Sequence, residues 1–334
     1  MNIGIIGATG LVGEKVIRVL EERNFPVKKL YLYSSEKSKG IRVKFHSDEI
    51  EVNVLNKESF TNLDIAFFAL EENLAKEWIP IAQKECVVID KSSAYRLDKS
   101  VPLVVPEVNA EKIKEHKNLI ANPNCTTIPL VVVLAPLQKA FGLKRVIVSS
   151  YQSVSGAGRD ALNEFIYETE FLACGEEIKK DPDSVFSAPI AGNIIPQIGS
   201  FDKQGYTSEE KKVIEETRKI LELPDLLISA TCVRVPVKIG HSEAVNIQFE
   251  KSIKVDDVIK ILESAPGIKV YGDDKYPMPI DAEEKDEVFV GRIRKDTAFE
   301  NGVALWIVTD NLRKGAATNA VQIAEEILKI KGEK

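Results

Sequence analysis

Asn2-Ile3-Gly4-Ile5-Ile6-Gly7-Ala8-Thr9-Gly10-Leu11-Val12-Gly13 is the stretch whose reading decides the fold. Ile3 to Ile6 form a short apolar strand. Residues 11–22 then carry Leu11, Val12, Val16, Ile17, Val19 and Leu20 at helical spacing. Between them stand Gly7, Gly10 and Gly13 in a GxxGxxG pattern. Such glycines permit a tight turn and close backbone approach, so a pyrophosphate can lie on the helix N-terminus. Gly7, Thr9, Gly10, Leu11 and Val12 are therefore candidate cofactor contacts.

Further strands follow at residues 30–33, 65–70 and 87–90. They are apolar throughout rather than alternating, as in a parallel sheet covered on both faces. The strand–helix alternation predicts an α/β, Rossmann-type dinucleotide-binding domain. At the tip of the second strand stand Ser34-Ser35-Glu36-Lys37-Ser38-Lys39-Gly40. Hydroxyls and lysines suit a 2′-phosphate through charge-assisted hydrogen bonds, which favours NADP, with Ser34, Ser35, Lys37 and Ser38 as contacts. Glu36 as an acid for the ribose hydroxyls is the alternative.

After residue 125 the texture changes. Long alternating segments at 229–236, 244–249, 288–294 and 303–308 predict a second, α+β domain built on a large mixed sheet, mainly antiparallel. Residues 314–331 form an amphipathic helix, with Ala317, Ala320, Val321, Ala324, Ile327 and Leu328 on one side. The expected division is 1–124 plus 313–334 for cofactor binding and 125–312 for the second domain.

The chemistry centres on Asn122-Pro123-Asn124-Cys125-Thr126-Thr127. An apolar run ends at Ala121 and a helix-like run spans 126–141, which predicts Cys125 on the first turn of a helix. Unpaired N–H groups and the helix dipole favour the nucleophilic thiolate there. A buried structural cysteine is the other reading. Ser153-Val154-Ser155-Gly156-Ala157-Gly158 is a small-residue loop that lets backbone approach a flat ring, with Ser155 and Gly156 as contacts; an ordinary glycine turn is the alternative. Arg234 and His241 flank one short turn, and spacing alone leaves open whether Arg234 meets a carboxylate.

A chain of 334 residues has room for two cores. A net charge of −6 without a basic block argues against nucleic acid or anionic membrane as partners. Cys86, Cys125, Cys174 and Cys232 are far apart, so neither a disulfide framework nor a metal site is expected. The sequence runs straight into a strand from Met1, and a cytoplasmic location is expected.

Taken together these segments resemble the bacterial aspartate-β-semialdehyde dehydrogenases. The resemblance rests on 7–13, Asp90-Lys91-Ser92-Ser93-Ala94-Tyr95-Arg96, Val104-Val105-Pro106-Glu107-Val108-Asn109, 122–127, 150–158, 234–241 and Asp310-Asn311-Leu312-Arg313-Lys314-Gly315-Ala316-Ala317. They occur in family order over nearly the whole chain. The resemblance implies NADPH-dependent reduction of L-4-aspartyl phosphate to the semialdehyde through a Cys125 thioester. It implies His241 as acid/base and Gln152 as the residue that orients the reacting group. Arg234 would grip the substrate carboxylate, Glu209 its amino group, and Arg96, Lys212 and Asn124 the phosphate; Asn311 joins the cofactor contacts. A homodimer or dimer of dimers is implied as well. Other acyl-phosphate or acyl-thioester reductases on the same scaffold, such as N-acetylglutamyl-phosphate reductase, and a catalytically silent NADP-binding paralogue are the competing readings. Two segments depart from the family pattern, Leu70-Glu71-Glu72-Asn73 and Lys91.

Overall fold

The computed structural model describes residues 1–179, 182–272 and 274–332. Two compact units emerge, Met1–Asn124 with the C-terminal residues from Ala316, and Cys125–Gly315. Residues 333 and 334 of the expected C-terminal segment lie outside the described residues.

The first unit contains strands β1 (Asn2–Ile6), β2 (Lys29–Ser34), β3 (Arg42–Phe45), β4 (Asp48–Val54), β5 (Ile65–Phe68), β6 (Val87–Asp90) and β7 (Leu119–Ala121). Their order is β3-β4-β2-β1-β5-β6-β7, parallel except for the antiparallel pairing of β3 with β4. Helices α1 (Leu11–Glu22), α2 (Glu72–Ala82), the short α3 (Pro106–Asn109) and α9 (Thr318–Gly332) complete it. The strand order reverses between β1 and β5. That is the switch point where doubly wound sheets open a crevice, and the glycine turn follows β1. The β3–β4 hairpin escaped the sequence reading because its residues are mostly polar and exposed, with no apolar run to mark them.

The core of this unit draws on β1 and α1 (Ile3, Ile5, Val16, Ile17, Leu20) and on Val321, Ile323 and Ile327 of α9. Each fully buried aliphatic side chain contributes about 1.5–3 kcal/mol. The closure cost of recruiting a distant helix rises only slowly with loop length. Burial therefore keeps α9 with this unit. The helix expected from Lys314 begins instead with a π-helical turn, Arg313–Ala317, in which the Gly315 N–H donates to Asp310 O at 3.0 Å. Such wide turns within helices often mark functional sites.

The second unit carries strands β8 (Leu143–Gln152), β9 (Leu227–Arg234), β10 (His241–Phe249), β11 (Ile268–Val270), β12 (Val288–Lys295) and β13 (Gly302–Thr309), ordered β11-β12-β13-β10-β8-β9. The three inner pairings are antiparallel, and a parallel pair stands at each edge. Helices α4 (Thr127–Phe141), α5 (Arg159–Ala173), α6 (Ser208–Leu221), α7 (Val255–Ser264) and the short α8 (Pro279–Ala282) belong to this unit. On one face of the sheet Val146, Val148, Ser150 and Gln152 of β8 are buried, while Ile147 and Tyr151 on the other face are exposed. The register aligns Ser150 with Cys232 and Gln152 with Arg234. Ser242 pairs with Tyr151, which brings His241 beside Gln152. Along this face the buried side chains turn from aliphatic to polar, and the polar end gathers Gln152, Arg234 and His241.

The glycine turn of the first unit gives a stability test. A Cβ on Gly13 would fall 2.2 Å from Gly7 O and 2.9 Å from Ala8 Cα, whereas one on Gly10 would meet nothing closer than 3.5 Å. Gly13→Ala is expected to cost roughly 1–3 kcal/mol by overpacking and Gly10→Ala less than about 0.5. Equal effects of the two substitutions in calorimetric or denaturant unfolding would contradict this packing.

Candidate active site

Cys125 lies in the turn before α4. Thr126 is the cap residue and the helix starts at Thr127, so Cys125 precedes the cap rather than occupying the first helical turn expected from sequence. Thr126 makes no side-chain cap, because its Oγ1 accepts a hydrogen bond from Gln152 Nε2. Cys125 Sγ is 3.4 Å from His241 Nε2. The Ser153 backbone N–H donates to His241 Nδ1 at 3.1 Å. Because that N–H can only donate, Nδ1 carries the lone pair, and the neutral ring holds its proton on Nε2, facing the sulfur. Burial, reinforced by the Arg234 charge, pulls the His241 imidazole down to about 3, so it is neutral at neutral pH.

Other candidate residues lie around this pair. Gln152 Nε2 also donates to Glu209 Oε1 at 3.3 Å, and Lys212 Nζ reaches Glu209 Oε2 at 3.3 Å. The neighbours on α6 are occupied elsewhere. Thr207 and Glu210 form a capping box, Glu210 Oε1 accepts from the Cys232 N–H at 3.0 Å, and Lys211 pairs with Asp202. Arg234 is buried and donates through Nη1 to Ser153 O at 2.7 Å. That is its one side-chain hydrogen bond among the described residues, so the rest of the planar fork is available to a carboxylate. Desolvation lowers the Arg234 pKa and Glu209 opposes the shift. Gly156 stands close over both groups: a Cβ there would come within 3.0 Å of Arg234 Nη1 and 3.2 Å of His241 Nε2.

Asn311 and Ser155, read from sequence as cofactor contacts, are bonded to each other. Asn311 Oδ1 accepts from Gly240 N–H at 2.9 Å, Ser153 Oγ at 3.1 Å and Ser155 Oγ at 3.3 Å, and its Nδ2 donates to Ser155 Oγ at 3.0 Å. This network braces the 153–155 turn against the start of β10.

The remaining predicted residues belong to the first unit. Arg96 is buried, with Nε donating to Asn122 O at 3.0 Å and Nη2 to Lys91 O at 2.5 Å. Asn124 is buried and ends the unit. Arg96 and Lys212, the predicted phosphate pair, thus stand in different units. In the glycine turn, Gly7 has φ of +90° and Gly10 caps α1 with no side-chain cap, which leaves the Leu11 and Val12 end of the helix for a phosphate. Thr9 Oγ1 lies 2.9 Å from Ser34 Oγ and 3.0 Å from Ser38 Oγ; Ser35 and Lys37 are exposed. These residues fit a phosphorylated nucleotide. The departure at Glu72 is used locally, as acceptor from Ser93 Oγ at 2.6 Å and Lys76 Nζ at 2.5 Å.

Sequence reasoning missed Ser153, Thr126 and Gly315. The first two act through a backbone N–H and a hydroxyl whose directions no pattern reveals. Gly315 permits close packing, since a Cβ there would lie 3.1 Å from Cys125 Cβ. Its place in a quoted motif was the available signal.

The buried neutral histidine has a consequence for stability. Its folded-state pKa lies below the ordinary 6.5, so between 6.5 and about 3 the unfolded chain binds a proton that the folded chain refuses. Stability from this residue is present above 6.5 and is lost as pH falls through that window. Denaturant unfolding from about pH 7 to about pH 5 is expected to show a steeper loss in the parent than in His241→Gln. Parallel profiles would mean that the imidazole is already charged.

Two family descriptions match the chain: "Semialdehyde dehydrogenase, NAD binding domain" over residues 2–116 and "Semialdehyde dehydrogenase, dimerisation domain" over 134–314. Aspartate-semialdehyde dehydrogenase of Aquifex aeolicus is 51% identical, with 98% of each chain covered. That of Bacillus subtilis is 46% identical, covering 99% of this chain and 98% of the relative. Among solved structures, aspartate semialdehyde dehydrogenase II of Vibrio cholerae, complexed with ASA, superposes with a TM-score of 0.96 at 44% identity over 98% of both chains. With a cysteine against a neutral histidine, a free arginine fork and a glycine turn after the first strand, the chain belongs to the aspartate-semialdehyde dehydrogenase family.

Proposed function

We propose that this enzyme converts L-4-aspartyl phosphate and NADPH to L-aspartate 4-semialdehyde, phosphate and NADP. The observation that carries the reading is the 3.4 Å approach of Cys125 Sγ to the protonated Nε2 of His241, within a buried layer that also presents Gln152 and Arg234.

Cys125 as thiolate attacks the acyl carbon; the C–O bond to phosphate breaks and a thioester forms with release of inorganic phosphate. The bound nicotinamide cofactor supplies the hydride that reduces the thioester. The resulting tetrahedral oxyanion expels the Cys125 thiolate and becomes the aldehyde. No net proton transfer to the enzyme is needed in this sequence. His241 therefore has a narrower task than full acid/base exchange: Nε2–H donates first to the thiolate and then to the oxyanion. Gln152 holds Thr126, next to the nucleophile, and fixes Glu209. Arg234 takes the substrate α-carboxylate in bidentate fashion and Glu209 its ammonium. Arg96, Lys212 and Asn124 receive the phosphate.

We assign NADP binding to Met1–Asn124 with the C-terminal residues from Ala316, and catalysis and dimerisation to Cys125–Gly315. Gly7, Thr9, Gly10, Leu11 and Val12 hold the pyrophosphate. Ser34, Ser35, Lys37 and Ser38 meet the 2′-phosphate, and Ser155, Gly156 and Asn311 the nicotinamide. Ile147, Tyr151 and Leu227 expose apolar surface on the open face of the second sheet, which suits pairing with a second copy. We assign a homodimer on that face, with dimers of dimers as the larger assembly. A thiol nucleophile suits a reducing compartment, so the cytoplasm is the proposed location. No helix among the described residues is long and apolar enough to cross a membrane.

The reaction run backwards tests this reading. Enzyme mixed with L-aspartate 4-semialdehyde, phosphate and NADP should give phosphate-dependent absorbance from NADPH, and Cys125→Ala should abolish it while NADP still binds. Turnover retained in Cys125→Ala would rule out the covalent route. A signal from N-acetylglutamate semialdehyde alone would overturn the substrate assignment.

A further inference from the structure

Glu243 takes no part in the chemistry above, yet it stands two residues from His241 on the same buried face of β10. Only 1% of its surface is exposed. The register sets Ser150 of β8 on one side of it and Ile307 of β13 on the other, with Cys232 of β9 beyond Ser150. Among the described residues neither carboxyl oxygen has a hydrogen-bond partner, and no ion pair reaches the group.

The titratable and charged groups toward this layer are Cys232 and Arg234 on β9, Glu209, Glu210, Glu216 and Lys212 on α6, and His241 on β10 itself, with Cys125 just before α4. β13 brings Ile307 and Thr309 to this face, neither of which titrates. Glu209 and Glu210 already surround Cys232 together with Glu243. Both are engaged, Glu209 with Lys212 and Gln152, Glu210 with backbone N–H groups. A third carboxylate would meet like charge and have no donor of its own. Burial alone pushes the Glu243 carboxyl well above the usual carboxylate range. An unpaired charge in such a place is far costlier than a neutral acid.

We propose that Glu243 is a positioning residue that keeps its proton at working pH, a neutral acid on the rung beside His241 and Gln152, so that no carboxylate charge from that rung opposes the Cys125 thiolate. It acts through its neighbours. A negative charge there would draw a proton onto His241 and hold the Cys125 proton in place. The inference rests on the reading of Cys125 as nucleophile, but its first readout does not.

Infrared difference spectra of the full-length enzyme at neutral pH, parent minus Glu243→Gln, should show the carbonyl stretch of a protonated carboxyl group in the parent alone. The pH midpoint for alkylation of Cys125 by iodoacetamide should be the same in the parent and in Glu243→Gln, as two neutral side chains at this position require. Absence of the band overturns the proposal. So does alkylation in Glu243→Gln about tenfold or more faster at neutral pH, the effect of removing a charge worth one pKa unit. Glu243→Met serves as the reference if the glutamine variant does not fold. The infrared band would stand even if Cys125 proved not to be the nucleophile, which separates the two failures.

Discussion

The hydrogen bond from the Ser153 backbone N–H to His241 Nδ1 is the constraint on which the site depends. It fixes the tautomer, puts the remaining ring proton on Nε2 and aims it at Cys125 Sγ. The rest of the second unit serves that geometry. Asn311 ties the Ser153 turn to Gly240, Arg234 clamps Ser153 O, and the register of β8, β9 and β10 stacks Gln152, Arg234 and His241 on one face. The cost of burying this polar layer is offset at Gln152, Arg234 and His241, each of which finds a hydrogen-bond partner.

Electrostatically Arg234 is the cation nearest the cysteine–histidine pair's own chemistry, while Lys212 is paired with Glu209. Burial, reinforced by the Arg234 charge, leaves the His241 ring neutral and turns the cysteine–histidine pair into an acceptor facing a donor rather than an ion pair. The same guanidinium keeps most of its fork free. On the proposed reading, a substrate that brings a carboxylate and an ammonium would complete the network of Arg234 and Glu209, whereas an acetylated or thioester-linked acyl group offers Glu209 no ammonium. Gly156 and Gly315 matter for the opposite reason: each is small where a side chain would collide with a reacting or recognising group.

Much of this was legible in the sequence where one pattern dominates. The apolar runs of β1, β5 and β6 and the glycine turn gave the nucleotide-binding unit, and α1 falls on the predicted residues 11–22. The β3–β4 hairpin was not legible, since polar edge strands carry no burial signal. The π-helical turn at Arg313–Ala317 was read as ordinary helix, because a five-residue hydrogen bond such as Gly315 to Asp310 leaves no trace in residue spacing. At the site, Cys125 was singled out by its place before a helix, whereas Gln152, Glu209, Lys212 and the roles of Arg234 and His241 came only with the family resemblance. What spacing could not supply was direction: which of Glu209 and Glu210 faces Gln152, which nitrogen of His241 holds the proton, and where Thr126 spends its hydroxyl.

The central claim is that Cys125 carries the acyl group as a thioester while His241 stays neutral. Enzyme mixed with aspartate semialdehyde and NADP, with phosphate left out, isolates that state. The account predicts a burst of one NADPH per active site and a mass increase of one aspartyl group on the peptide that carries Cys125. Steady turnover without phosphate, or a burst with no adduct on Cys125, would contradict it.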